Sequence, residues 1–396
     1  MMQISPEIQL FIREHSSDDV RVLALQAKKY PDIDMPTAIT QIAGRKVAAE
    51  KIPSWWEIEK IWYPKHLSLE QCSSEITARY KARLLQGDSL TDLTGGFGID
   101  CSFLATGFKS ATYVERQEEL CEIAAHNFPV LNLNHINIRN EDGVTYLQAM
   151  SPVDCLFLDP ARRNEHGGKT VAISDCEPNV AELEELLLQK ANRVMIKLSP
   201  MLDLSLALKE LKQTQEVHIL SVNNECKELL ILLGQTSPAE ISIHCVNLFT
   251  KGTQKEQHFV FTREQEQCSE CTYTDSLETY LYEPNASLLK AGAFRSIAAA
   301  YPVRKLHPNS HLYTSDTFIE NFPGRIFRIV NQCSFNKKEV KENLAGLKKA
   351  NVTVRNFPAT VAELRKRIHL AEGGDTYLFA STLNNGQKVL IRCEKV

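Results

Sequence analysis

Between residues 90 and 222 the chain repeats one pattern, a short apolar run followed by an amphipathic segment. The apolar runs fall at 90–93, 111–115, 136–139, 153–158, 193–198 and 217–222, and the amphipathic segments at 99–106, 117–127, 143–150, 180–190 and 204–212. Runs of four to six residues suit strands buried on both faces, and the segments between them have the period of helices. Repeated units of this kind predict an α/β fold with a doubly wound, mostly parallel sheet covered by helices on both sides.

At 396 residues the chain is too long for one hydrophobic core, so several domains are expected. Residues 1–65 carry helical spacing, as in Val20, Leu23, Ala24 and Ala27, and form a helical N-terminal region. Trp55, Trp56 and Trp62 follow in an aromatic connector, where they can seal an interface or offer stacking faces. The α/β domain occupies 66–265 and closes with strand-like runs joined by short connections, which predicts an antiparallel ending. Residues 266–323 read as a helical or mixed connecting segment, with a ferredoxin-like fold as one option. From 324 to 396 the order is β-α-β-α-β-β, with Asn384-Asn385-Gly386 as a hairpin turn.

A formal net charge of −4 conceals an asymmetry. Residues 324–396 hold 14 Lys and Arg against 6 Asp and Glu, a balance of +8 that leaves −12 for the remainder. A basic module on an acidic body points to a polyanion such as RNA. No run approaches the length of a membrane span and the N-terminus has no basic segment followed by a long apolar stretch, so a cytoplasmic protein is expected. Eleven scattered cysteines read as reduced thiols. Cys268 and Cys271 have CxxC spacing without a second ligand pair, so no metal site is expected.

The segment LTDLTGGFGIDCSFLA, residues 90–105, joins a strand to a helix through Asp92, Thr94, Gly95, Gly96, Phe97 and Gly98. Such a turn lets a nucleotide-like ligand approach the backbone and the free N–H groups of the helix start. A dinucleotide site needs GxGxxG; here the order is D-L-T-G-G-F-G, which disfavours a nicotinamide dehydrogenase. Three later strands end in acids: Glu115, followed by Arg116; Asp142, followed by Gly143; and Asp159, in the tetrapeptide Asp159-Pro160-Ala161-Arg162. Each acid alone can be an ordinary loop-starting residue. Together they occupy successive strand ends, where open α/β sheets place ligands.

On these motifs, with EQCSSEITARYKA, KLSPMLD, YEPNASLLKAGA and the basic C-terminal module, residues 66–396 resemble class I S-adenosylmethionine-dependent methyltransferases carrying a C-terminal THUMP-like domain. The resemblance implies a Rossmann-like sheet and S-adenosylmethionine as cofactor. It implies that the turn 92–98 holds the cofactor, with Glu115 and Arg116 at the ribose and Asp142 and Gly143 at the adenine. Ser74, Thr77 and Tyr80 then become candidates for its carboxylate. Thr94 stands where the family signature has its first glycine. The family's nitrogen-methylating members carry D/N-P-P-Y/F, whose oxygens accept hydrogen bonds from the amine and whose aromatic stacks on the base. Asp159-Pro160-Ala161-Arg162 keeps the acid and first proline alone, and Arg162 and Arg163 can bind phosphate, stack on a base or form a structural ion pair.

The implied activity is methyl transfer to a base nitrogen in tRNA or rRNA. A protein or small-molecule amine is the alternative acceptor, and a non-catalytic RNA-binding protein the alternative class. A covalent cysteine mechanism is disfavoured, because neither Cys155 nor Cys176 sits in a nucleophile motif. Lys337, Lys338, Lys341, Lys348 and Lys349, then Arg365, Lys366 and Arg367, are the expected RNA-binding cations.

Overall fold

The computed structural model describes residues 5–162, 172–236 and 238–396, which form two compact units. The first comprises Met1–Gln215 with Leu229–Pro238, and the second Glu216–Glu228 with Ala239–Val396.

In the first unit the strands are β1 Ser89–Asp92, β2 Ser110–Glu115, β3 Ile136–Asn140, β4 Val153–Leu158 and β7 Ala191–Leu198. A small antiparallel pair, β5 Ala161–Arg162 and β6 Cys176–Glu177, lies between the last two in sequence. β8 Thr214–Val222 leads into the second unit, and β9 Glu225–Gly234 returns to pair antiparallel with β7 through Leu229–Gly234. The resulting order is β9-β7-β4-β1-β2-β3, with all the other pairings parallel. β4 and β7 are nearly continuous apolar runs because helices cover both faces of the sheet, so alternation with polar residues is absent. The order reverses between β1 and β4, and at such a switch point open α/β sheets bind ligands at the carboxyl ends of the strands.

The N-terminal region is helical, with Pro6–Glu14, Val20–Leu25 and Met35–Lys51 each started by a side-chain cap, from Ser5, Asp19 and Asp34. Of the three tryptophans, Trp55 is buried with its ring edge-on to Phe97 at 5.2 Å, in a cluster with Tyr63, Ile61 and Ile99. That connector therefore packs the helical region onto the glycine turn. Trp56 remains exposed, and Trp62 packs edge-on to His126.

In the second unit β10 Ser242–Leu248 runs parallel to β8 and antiparallel to β11 Glu256–Thr262. A second sheet contains β12 Tyr280–Pro284, β13 Arg304–Lys305, β14 Tyr313–Ser315, β15 Gly324–Ser334, β16 Asn351–Val354, β17 Thr376–Thr382 and β18 Lys388–Lys395, in the order β13-β14-β12-β15-β18-β17-β16. The β-α-β-α-β-β order expected from 324 onward is present, with helices Lys337–Asn343 and Val361–Ile368. Buried Glu283 ties β12 to this module by pairing with Arg325 and Arg355. All eleven cysteines are free thiols. No helix among the described residues is long and apolar enough to cross a membrane.

Candidate active site

The candidate site is built on the turn after β1. Gly98 begins helix Ile99–Ala105 with φ +86°, and Gly96 adopts φ +54°, backbone that L side chains rarely take up. Gly95 packs flat on Tyr113 of β2, where an added Cβ would lie 2.2 Å from the ring. The Tyr113 hydroxyl donates to the Gly96 carbonyl. Glu115, at the end of β2, accepts from the Gly96 N–H at 2.9 Å with one carboxylate oxygen and from the Gln117 N–H at 2.8 Å with the other. On the other side the Asp159 N–H donates to Thr94 Oγ1 at 2.6 Å. Gly96, Glu115 and Asp159 are thus joined through the same turn.

Asp92 lies beneath the turn, 1% exposed, with Oδ1 accepting from the Thr94 N–H at 3.0 Å. Its Oδ2 has no hydrogen-bond partner among the described residues. Burial pushes this carboxyl up to about 8, with only the Thr94 N–H opposing.

Beside Asp159 runs a buried ionic network that reading along the sequence does not reveal. Lys197 of β7 contacts Asp159 Oδ2 at 2.5 Å and Asp100 Oδ2 at 3.4 Å. Asp100, in the first turn of helix Ile99–Ala105, also pairs with fully buried Lys81 at 2.9 Å. The Ser73 hydroxyl donates to Asp100 at 2.7 Å and accepts from Lys81 at 2.8 Å and Lys197 at 3.1 Å. Two lysines and two aspartates cancel in charge, which is what makes the burial of Lys81, Lys197 and Asp100 tolerable, while the Asp159 side chain stays 38% exposed. Burial alone would raise the Asp100 carboxyl, but Lys81, Lys197 and Ser73 outweigh it and hold it at about 2. Burial raises the Asp159 carboxyl, with Lys197 opposing that rise. A lysine inside the apolar run RVMIKL was the available signal for Lys197.

Other expected residues fall as follows. Phe97 turns its ring into the core with Trp55 and Tyr63, so its side chain packs and only its backbone belongs to the turn. Asp142 caps helix Gly143–Ala149 by accepting from the N–H groups of Val144 at 3.0 Å and Thr145 at 2.9 Å. Gly143 closes against β1, where an added Cβ would lie 2.2 Å from the Leu93 carbonyl oxygen. Arg116 forms an exposed ion pair with Glu177. Ser73, next to Ser74, fastens the start of helix Glu75–Ala82 to Asp100. Within it Thr77 bonds back to the Ser74 carbonyl and hydroxyl, and buried Tyr80 lies under the Arg83 guanidinium. Pro160 and the exposed Ala161 continue from Asp159 into β5, which the Arg162 backbone completes. Arg163 lies outside the described residues. In the second unit Lys337, Lys338, Lys341, Lys348, Lys349, Lys366 and Arg367 are exposed, whereas Arg365 turns inward to the Ala350 carbonyl at 3.2 Å.

The sheet and its glycine turn define a class I methyltransferase fold extended by further C-terminal modules, and residues 280–323 and 324–395 match family models described as a ferredoxin-like domain and as THUMP domain-like. The crystal structure of a "putative methyltransferase" from Porphyromonas gingivalis W83 is 34% identical, with 100% of each chain covered and a TM-score of 0.86. This chain belongs to the family of that protein. An rRNA methylase from Streptococcus thermophilus and a "putative methyltransferase" from Streptococcus mutans, the latter in complex with SAH, are each 14% identical over 40% of this chain, with TM-scores of 0.30. They are covered over 93% and 96% of their own lengths. No curated protein matches the chain.

Proposed function

We propose that this protein transfers the methyl group of S-adenosylmethionine to a base nitrogen in RNA, either tRNA or rRNA. The observation that carries the reading is the glycine turn, which is tied to Glu115 on one side and to Asp159 on the other. The relative described as a "putative methyltransferase", aligned over the whole of both chains, supports the reaction, and the THUMP-like module supports the substrate.

The orphaned Asp92 oxygen under a turn of positive-φ glycines fits a polar ligand lying against that backbone. Asp92, Thr94, Gly95, Gly96, Gly98 and Glu115 would hold the nucleoside, with Asp142 and Gly143 flanking its base and Ser74, Thr77 and Tyr80 at the amino-acid end. When bound, the cofactor supplies a sulfonium methyl that a neutral nitrogen can attack directly. Asp159 accepts a hydrogen bond from the attacking amine and stabilises the positive charge developing there. Lys197 fixes the Asp159 carboxylate through one oxygen, leaving the other for the amine.

Labelled methyl transfer from S-adenosylmethionine to bulk tRNA and rRNA tests the reading. Asp159→Ala is expected to slow turnover by about 100-fold or more with cofactor binding retained. Parental rates in that variant would remove Asp159 from the reaction. Labelling of protein or small amines unaffected by competing tRNA would redirect the substrate. The altered Asp159-Pro160-Ala161-Arg162 tetrapeptide favours one second reading, a non-catalytic RNA-binding protein, and absence of heat on titration with S-adenosylmethionine would select it.

A further inference from the structure

We propose that Glu216, His218 and His244 form a binding site for a divalent transition-metal ion of the zinc class, with His258 orienting His244. The site is independent of the methyl-transfer site. In the parallel register of β8 and β10, His244 stands opposite His218, and Ser242 opposite Glu216. The two imidazoles stack at 4.3 Å with 17° between their planes. Both Nε2 atoms face the neighbouring row: that of His218 is 3.2 Å from Glu216 Oε2, and that of His244 is 3.1 Å from Ser242 Oγ. One ligand atom from each of Glu216, His218 and His244 lies within 4.8 Å of the others. Tetrahedral zinc with bonds of about 2.0–2.2 Å holds its ligand atoms about 3.3 Å apart, so rotation of the imidazoles out of their stack would close the set.

The surroundings fit the same ion. His244 Nδ1 is 3.1 Å from Nε2 of His258 on β11, which can take the place of the carboxylate, carbonyl or water that usually accepts the outer hydrogen bond of a metal-bound imidazole. His218 is 3% exposed, whereas His258 is open to solvent, which gives an ion a way in. Two imidazoles and a carboxylate without thiolate select zinc, cobalt or nickel over calcium or magnesium. No spacing in the sequence announces this set, because its members come together only across adjacent strands.

Titration of the full-length protein with Co²⁺ tests the site. The expected result is one ion per chain, with visible ligand-field bands, no near-ultraviolet thiolate band, and displacement by zinc. Glu216→Gln and His244→Gln should each weaken binding at least tenfold, and His258→Ala about tenfold, with circular dichroism unchanged. Absence of saturable Co²⁺ binding would overturn the proposal. So would binding that survives both Glu216→Gln and His244→Gln, or a thiolate band assigning the ion to Cys268 and Cys271.

Discussion

Asp159 sits between two opposing influences, burial that favours its neutral form and Lys197 that favours its charge. As an acceptor it must be ionised, so activity should fall as pH drops through its titration. Lys197→Met removes the opposing influence, and the acid limb of the methyl-transfer pH profile should move to higher pH; a limb that stays in place would separate Lys197 from the reaction. Asp100 shows the reverse balance, held at about 2 against an ordinary 3.8. A depressed carboxyl contributes stability that is fully present above the unfolded value and is lost as pH falls through the folded one. The window here runs from about pH 4 to pH 2. Lys81→Met should lower the unfolding free energy at pH 7 by about 3 kcal/mol, because Asp100 stays buried with one partner fewer. Urea unfolding at several pH values should also show a flatter loss of stability below pH 4.

Helix Gly143–Ala149 meets the turn after β1 at a point where there is no room for a methyl group. Gly143→Ala should therefore push the helix from the Leu93 carbonyl, costing about 1–3 kcal/mol and weakening S-adenosylmethionine binding measured by calorimetry. Gly107→Ala is the control, since its nearest neighbour would be 3.8 Å away, and it should leave affinity unchanged. At this scale the sequence was highly legible. The parallel strands β1 to β4 and β7 were readable to within about two residues because buried parallel strands are near-continuous apolar runs bounded by polar ones, whereas the two-residue strands β5 and β6 were not foreseen. The glycine turn was readable because its backbone demands exclude other residues. The ionic network was not, because Ser73, Lys81, Asp100, Asp159 and Lys197 come together from separate elements at distances that no local spacing encodes. The direction of the Phe97 ring was unreadable for a related reason: adjacency to the turn does not decide which way a side chain faces, and Trp55 and Tyr63 draw it into the core.

Across the whole molecule the charge is divided, with +8 on residues 324–396 against −12 elsewhere. A polyanion is then attracted to one module and repelled by the rest, which favours contact with phosphates in a defined region over diffuse adhesion. Lys337, Lys338 and Lys341 are exposed on or beside one turn of helix Lys337–Asn343, whereas Arg365 serves the fold at the Ala350 carbonyl. Phosphate contacts release condensed counterions, each steepening the dependence of log affinity on log salt by about 0.7 for single strands and about 0.9 for duplex. Replacing the three lysines by glutamine in the full-length chain should therefore reduce that slope by about 2, with unfolding free energy unchanged. The loss should be similar for RNAs of different sequence, since contacts to phosphate position without reading bases. Filter binding of tRNA and rRNA fragments from 50 to 300 mM salt, ~6-fold in ionic strength, spans enough range to measure it. An unchanged slope in the triple variant would move the RNA off this helix, and an equal loss on replacing Lys227, Lys251 and Lys255 would make the basic module irrelevant to binding.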